Sequence, residues 1–224
     1  MPVPTPIIKP ANRAFSADES VLLSGILARG GVIAGPAESC YGLIADAGSG
    51  VAIARIASLK GSREARSYVV AAADRNQIES LGIKAPEWLL ERLFRIWPAP
   101  ATFVLELGGR SAADASGSGT IAVRIPADEV LRNLCAIAGS PLVTTSANRE
   151  GETPARSCSE ILRIWPGELD AIVDDGARDG GVVSTIVDLT QPEPVVKRFG
   201  AWNADQKTLK ELFTPPAEKS AESR

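Results

Sequence analysis

The sequence predicts a single α/β domain, a twisted mixed sheet flanked by helices around a concave substrate cleft. Three observations predict it. Short apolar runs interleave with helical segments across 16–213 without a clean period. Residues 183–198 read as two adjacent strands, which a wholly parallel sheet does not hold. Two distant segments, 35–60 and 141–148, both release small polar groups where an apolar run ends, the place where open α/β sheets bind ligands.

The elements follow in order. Residues 1–15 are proline-rich and read as a loose or strap-like arm. Ser16 and Glu19 form a capping-box pattern opening a helix with Val21, Leu22, Leu23 and Ile26, stopped by Gly30-Gly31. A buried strand over 32–34 is expected to end at Gly35-Pro36, in a turn carrying Glu38, Ser39 and Tyr41, before a second strand over 42–45. The helix 51–60 places Val51, Ile53, Ile56 and Leu59 inward and Lys60 at its C-terminal edge. A strand over 68–73 follows, then a short helix 77–81 capped by Asp74, and a helix begun by Pro86 and closed by Trp97-Pro98. Strands are expected over 102–107 and 120–125, separated by the Gly/Ser/Ala-rich stretch 108–119, a connection or mobile flap. A helix over 127–138 ends at Gly139, and the buried strand 142–145 empties into Ser146 and Asn148. Ser157 or Ser159 opens a helix to Ile164; strands over 169–173, 184–189 and 195–198 and a helix over 205–213 complete the domain. Residues 214–224 read as a disordered tail.

Composition narrows the chemistry. The chain has no histidine, which excludes a Ser-His-Asp triad, a Cys-His dyad and a His-ligated zinc site. Its formal charge of −3 argues against a broad nucleic-acid surface, though not against a local basic pocket. Cys40, Cys135 and Cys158 are scattered and fit reduced thiols. No apolar run approaches the roughly 18 residues that span a bilayer, and the N-terminus lacks a signal peptide's apolar core, so a cytoplasmic protein with no membrane partner is expected.

Several residues could carry chemistry. Lys60, Arg63 and Arg66 gather in one turn and form either a solvated surface or a phosphate clamp. Arg124 lies inside a strand, pointing to solvent or to an anion such as a substrate carboxylate. Thr144, Ser146 and Asn148 alternate along one strand end, and Ser184, Thr185 and Arg198 offer further hydroxyls and charge. Glu38 reads as a structural turn carboxylate, and Cys40, without a histidine partner, as a small buried residue. Such a set binds and orients anions rather than building a covalent intermediate.

Seven of these segments, in order, resemble the signatures of the YrdC-like domain family. That family's patterns run PTET-x-YGL, K-x-R, WPGP-x-T, VAVR-x-P, PLV-x-TSAN, ST-x-VD and R-x-G. This chain has PAESCYGL (36–43), KGS (60–62), WPAPAT (97–102), IAVRIP (121–126), PLVTTSAN (141–148), STIVD (184–188) and RFG (198–200). The resemblance implies a YrdC-like fold and the ATP-dependent condensation of L-threonine with bicarbonate to threonylcarbamoyl-AMP and pyrophosphate. Mg2+ would accompany ATP, tRNA or RNA and downstream threonylcarbamoyl transferases would be partners, and no metal ligand set is implied. Lys60 and Arg63 become the expected catalytic charges. With Arg66, Thr120, Ser146, Asn148 and Arg198 they would serve the nucleotide; Ser39, Tyr41, Arg124, Thr144 and Ser184 would lie nearer threonine. The pattern's first threonine is Ala37, its K-x-R arginine is Ser62 with Arg63 one place on, its usual strand histidine is Ala71, and a glycine is Ala99. A diverged relative that binds nucleotide or RNA without making the adenylate is the alternative.

Overall fold

The computed structural model describes residues 4–62, 67–203 and 205–216. Among them, one mixed sheet holds ten strands: β1 (Ile7–Ile8), β2 (Ile33–Ala37), β3 (Cys40–Asp46), β4 (Val69–Ala71), β5 (Ala101–Glu106), β6 (Thr120–Arg124), β7 (Leu142–Ser146), β8 (Ala171–Val173), β9 (Thr185–Asp188) and β10 (Val195–Arg198). Their order is β1-β8-β2-β3-β7-β4-β6-β5-β9-β10. The helices are α1 (Ala17–Ala28), α2 (Gly50–Lys60), α3 (Arg75–Glu79), α4 (Glu87–Ile96), α5 (Glu129–Ala138), α6 (Cys158–Ile164) and α7 (Gln206–Phe213). No described helix is long and apolar enough to cross a membrane.

Local chemistry sets the helix ends. Ser16 Oγ accepts from the Glu19 amide while the Glu19 carboxylate accepts from the Ser16 amide at 2.8 Å, closing the box that opens α1. Asp74, Asp128, Ser157 and Asp205 each accept from the amide three residues on; Ser157, not Ser159, therefore starts α6. Gly139 stops α5 at φ 68°, a left-handed turn that suits glycine.

The strand alternation positions the site. On one face, Val32, Tyr41, Leu43, Val70, Val123 and Val143 join a core with α2, α4, α6 and α7. On the other, Ile33, Ile44, Ala71 and Leu142 pack under α1 and α5. Two residues along β3, β4 and β7 this second face carries Gly42, Val69 and Thr144 instead, and on β6 it carries Arg124, the register partner of Ala71. It is this change from apolar to polar residues, at the same parity, that leaves a cleft beside the helices.

Several expectations shift. β2 does not end at Gly35-Pro36 but continues to Ala37, and the turn is Glu38-Ser39 alone. Tyr41, opposite Pro36, directs its N–H and C=O away from β2, to Ala155 O and the Ala147 amide (2.8 Å each), so the proline lacks no ladder bond. Val51, expected inward, lies in the first turn of α2 and is 78% exposed. Within the arm, Ile7–Ile8 pairs in parallel with β8.

The stretch expected as a connection or mobile flap is tied down. Asp114 Oδ1 accepts from the hydroxyls of Ser67, Ser116 and Ser118 and from the Ser118 amide, and Oδ2 accepts from the Gly119 amide at 2.8 Å. Burial opposes the charge, but the bonds from Gly119, Ser118, Ser67 and Ser116 outweigh it and hold the carboxyl at about 2.

Candidate active site

A cleft of about 260 Å3 opens on the second sheet face. The β2–β3 turn supplies Glu38, Ser39 and Cys40; the entry to β4 supplies Ser67, Tyr68 and Val69. Arg124 comes from the end of β6, Thr144 to Ser146 from β7, Val183 and Ser184 from the approach to β9, and Arg198 from the end of β10. Most of them sit at or just beyond a strand end, with Thr144 inside β7, so the paired strands fix where their side chains emerge.

Arg124 does not point to solvent. It is 5% exposed and pairs with Glu38, 86 residues earlier, through Nη1 and Oε2. Neither group is fully satisfied: Glu38 Oε1 and Arg124 Nε are buried without a hydrogen-bond partner. Arg198 donates from Nε to Ser184 O at 3.0 Å and from Nη2 to Ser184 Oγ at 3.1 Å. Ser184 Oγ lies 3.1 Å from Thr102 Oγ1, which locks the hydroxyl. Arg198 has no carboxylate partner among the described residues, and burial first, then the neighbouring Arg124, lowers its pKa. Thr144 donates from Oγ1 to Val69 O at 3.3 Å.

Of the two readings of Lys60, a solvated turn or a phosphate clamp, the solvated one does not hold, and Lys60 stands behind the cleft lining rather than in it. It is 9% exposed, and Nζ donates to Ser146 O at 2.7 Å and to Asn148 O and Oδ1 at 3.1 Å. Ser146 Oγ donates to the same Asn148 Oδ1 at 2.6 Å, and Asn148 Nδ2 reaches Glu152 O at 2.9 Å. Lys60 and Asn148 thus stand behind the lining and hold Ser146 in it. Trp165 Nε1 donates to Leu59 O at 3.0 Å and fixes the same helix end from the other side.

The remaining expected residues divide. Ser39, Arg124, Thr144, Ser146, Ser184 and Arg198 come together in the lining. Tyr41 borders it, but its ring is fully buried and its hydroxyl lies 3.1 Å from Asp174 Oδ1 and 2.9 Å from Gly176 O; burial, then Asp174, raises its pKa. Thr120 is outside the lining, 2.9 Å from Ser118 Oγ in the Asp114 knot. Arg63 and Arg66 lie outside the described residues. Sequence reasoning missed Glu38 as a cleft group and passed over Ser67. Cys40, expected buried, is half-buried in the lining; burial raises its thiol pKa, opposed by Ser39 and Arg124. Of the motif departures, Ala37 borders the cleft, whereas Ala71 is fully buried under α5 and removes nothing from it.

Fold and site together define an α/β protein whose cleft, among the described residues, combines two guanidinium groups, one carboxylate and a row of hydroxyls, a set whose chemistry suits small anionic or zwitterionic ligands. A family model described as Sua5_yciO_yrdC, telomere recombination, matches residues 25–200. The chain belongs to the Sua5/YciO/YrdC family. It is 36% identical over 170 residues to a threonylcarbamoyl-AMP synthase of Halorhodospira halophila, covering 75% of this chain and 84% of that protein. To the threonylcarbamoyl-AMP synthase of Pyrococcus abyssi it is 32% identical over 201 residues, covering 88% of this chain and 58% of that one. Among solved structures, P. abyssi Sua5 complexed with L-threonine superposes with a TM-score of 0.82 at 27% identity, covering 95% of this chain and 61% of the other. Escherichia coli YciO shares the fold, with a TM-score of 0.75 at 22% identity over 90% of this chain and 98% of its own.

Proposed function

We propose that the chain condenses L-threonine, bicarbonate and ATP into threonylcarbamoyl-AMP and pyrophosphate, in the cytoplasm. The product would supply a downstream transferase that modifies adenosine in tRNA. One observation carries this reading. A chain 36% identical to a threonylcarbamoyl-AMP synthase lines one cleft with a buried Arg124, the neighbouring Arg198, which has no carboxylate partner among the described residues, and the hydroxyls of Ser39, Thr144, Ser146 and Ser184.

The chemistry asks little of acid–base groups. The threonine amine is its own nucleophile towards bicarbonate, giving a carbamate and water. The carbamate oxygen then attacks the α-phosphorus of ATP, and pyrophosphate leaves. Arg124 suits the threonine carboxylate through its planar fork, and Thr144 and Ser39 stand near as hydroxyl partners. Arg198 would take phosphate charge as it develops, with Ser146 held ready by Lys60 and Asn148. Mg2+ would arrive on ATP as part of the substrate: among the described residues the carboxylate lining the cleft, Glu38, is engaged by Arg124, which suits an ion that keeps phosphate and water ligands.

Pyrophosphate release, measured with each of ATP, threonine and bicarbonate omitted in turn, tests the proposal. Release that requires all three is expected. Release without threonine, or none with the full set, would refute it.

A further inference from the structure

The Glu38–Arg124 pair is an unusual way to furnish an anion site. Arg124 already has an anion, supplied by its own chain from the β2–β3 turn, and each partner retains a buried polar atom with nothing to bond. A buried ion pair is worth little over apolar packing, but parting it with one new partner strands the other charge at heavy cost. A plain carboxylate that displaced Glu38 from Arg124 would do this: it would leave Glu38 uncompensated on a side chain that is only 15% exposed. A zwitterion avoids it. Its carboxylate takes Arg124, its ammonium takes Glu38, one buried ion pair becomes two, and the local charge is unchanged. The two unsatisfied atoms, Glu38 Oε1 and Arg124 Nε, then have partners to accept from and donate to. Among the described residues, Cys40 and Arg198 are ionisable groups coupled to Glu38. Neither competes for an ammonium, since the thiol is held neutral by its raised pKa and Arg198 repels it.

We infer that Glu38 is the ammonium receptor of the amino-acid site, and that the Glu38–Arg124 pair selects α-amino acids over the corresponding hydroxy and deaminated acids. This rests on the threonine reading above and adds to it the group that reads the amine, which the sequence presented as a mere turn carboxylate.

Calorimetry with L-threonine and with 3-hydroxybutyrate, which keeps the carboxylate and hydroxyl but lacks the amine, tests it on the full chain. The wild type is expected to prefer threonine by roughly tenfold or more. Glu38→Gln keeps an oxygen for Arg124 but loses the charge; it should weaken threonine roughly ten- to a hundredfold and leave 3-hydroxybutyrate unweakened, erasing the preference. Glu38→Asp, which keeps the charge, should preserve the preference at reduced affinity. Equal weakening of both ligands by Glu38→Gln would make Glu38 merely structural and overturn the inference. Should that variant fail to fold, a wild type that binds 3-hydroxybutyrate as tightly as threonine overturns it equally. A wild type that binds threonine but whose Gln variant still discriminates sinks this inference alone; a wild type that binds no threonine sinks the functional reading with it.

Discussion

Replacing Lys60 by alanine separates a buried cation from a surface one. At a solvated helix end the change would be nearly neutral, within about 0.5 kcal/mol. The structure makes it costly. Lys60 is 9% exposed and its ammonium satisfies Ser146 O, Asn148 O and Asn148 Oδ1. A hydrogen bond to a charged group contributes about 1.5–3 kcal/mol, and acceptors left buried and unmet add to the loss. We therefore expect a cost of about 3 kcal/mol, which lowers Tm by roughly 6–12 °C in a domain of this size. Thermal unfolding followed by circular dichroism measures it, with Lys84→Ala as the control because that side chain is 74% exposed. Lys60→Met, which keeps the apolar stem, should recover only part of the loss. A Lys60→Ala midpoint within about 1 °C of wild type would refute the reasoning and return Lys60 to the surface.

Other outcomes follow from the same geometry. Arg124→Lys keeps the charge but not the planar fork, so the KM for threonine should rise at least about tenfold while that for ATP changes little; equal changes would place Arg124 in the scaffold. Gly200→Ala sets a methyl against the Val183 carbonyl oxygen and the Ser184 carbonyl carbon, backbone that cannot yield. Activity should fall at least about tenfold as Ser184 and Arg198 shift, and an alanine variant with wild-type kcat/KM would contradict this. Asp114→Ala should free the 108–119 stretch, read as new limited-proteolysis cuts there at neutral pH. In the wild type, Asp114's folded pKa lies below its ordinary value, so its contribution is complete above about pH 4 and fades as pH falls through about 2. Amide exchange at Gly119 that does not quicken over that fall would argue against it.

What the sequence disclosed was what neighbours decide. Ser16 with Glu19, Asp74, and Gly139 mark helix ends through bonds three or four residues long, so their pattern is local. The adjacent strands β9 and β10 were legible for the same reason. The burial of Lys60 was not, because its acceptors lie 86 and 88 residues away on β7's exit. Glu38 looked structural because the Arg124 that gives it meaning is equally remote in sequence. Ordinary strand alternation could place Arg124 and Thr144 on a face, but the strand order β7-β4-β6 was needed to bring them together. Tyr41 shows the converse: its place within the motif suggested a ligand role, while its parity on β3 buries the ring in the core at the border of the cleft.

The two-residue strand β1 has a consequence for behaviour in concentrated solution. A ten-stranded sheet ends in two rows of unpaired backbone groups, each able to recruit a strand from another molecule. β1 covers the β8 edge and is too short to serve as a template, with Pro4, Pro6 and Pro10 around it lacking the N–H a further strand would need. At the opposite edge, β10 breaks its register between Val196 and Arg198, projects Lys197, and follows Pro192 and Pro194. Both margins are thereby blunted against edge-to-edge aggregation, and loss of the first ten residues would bare the β8 margin to it.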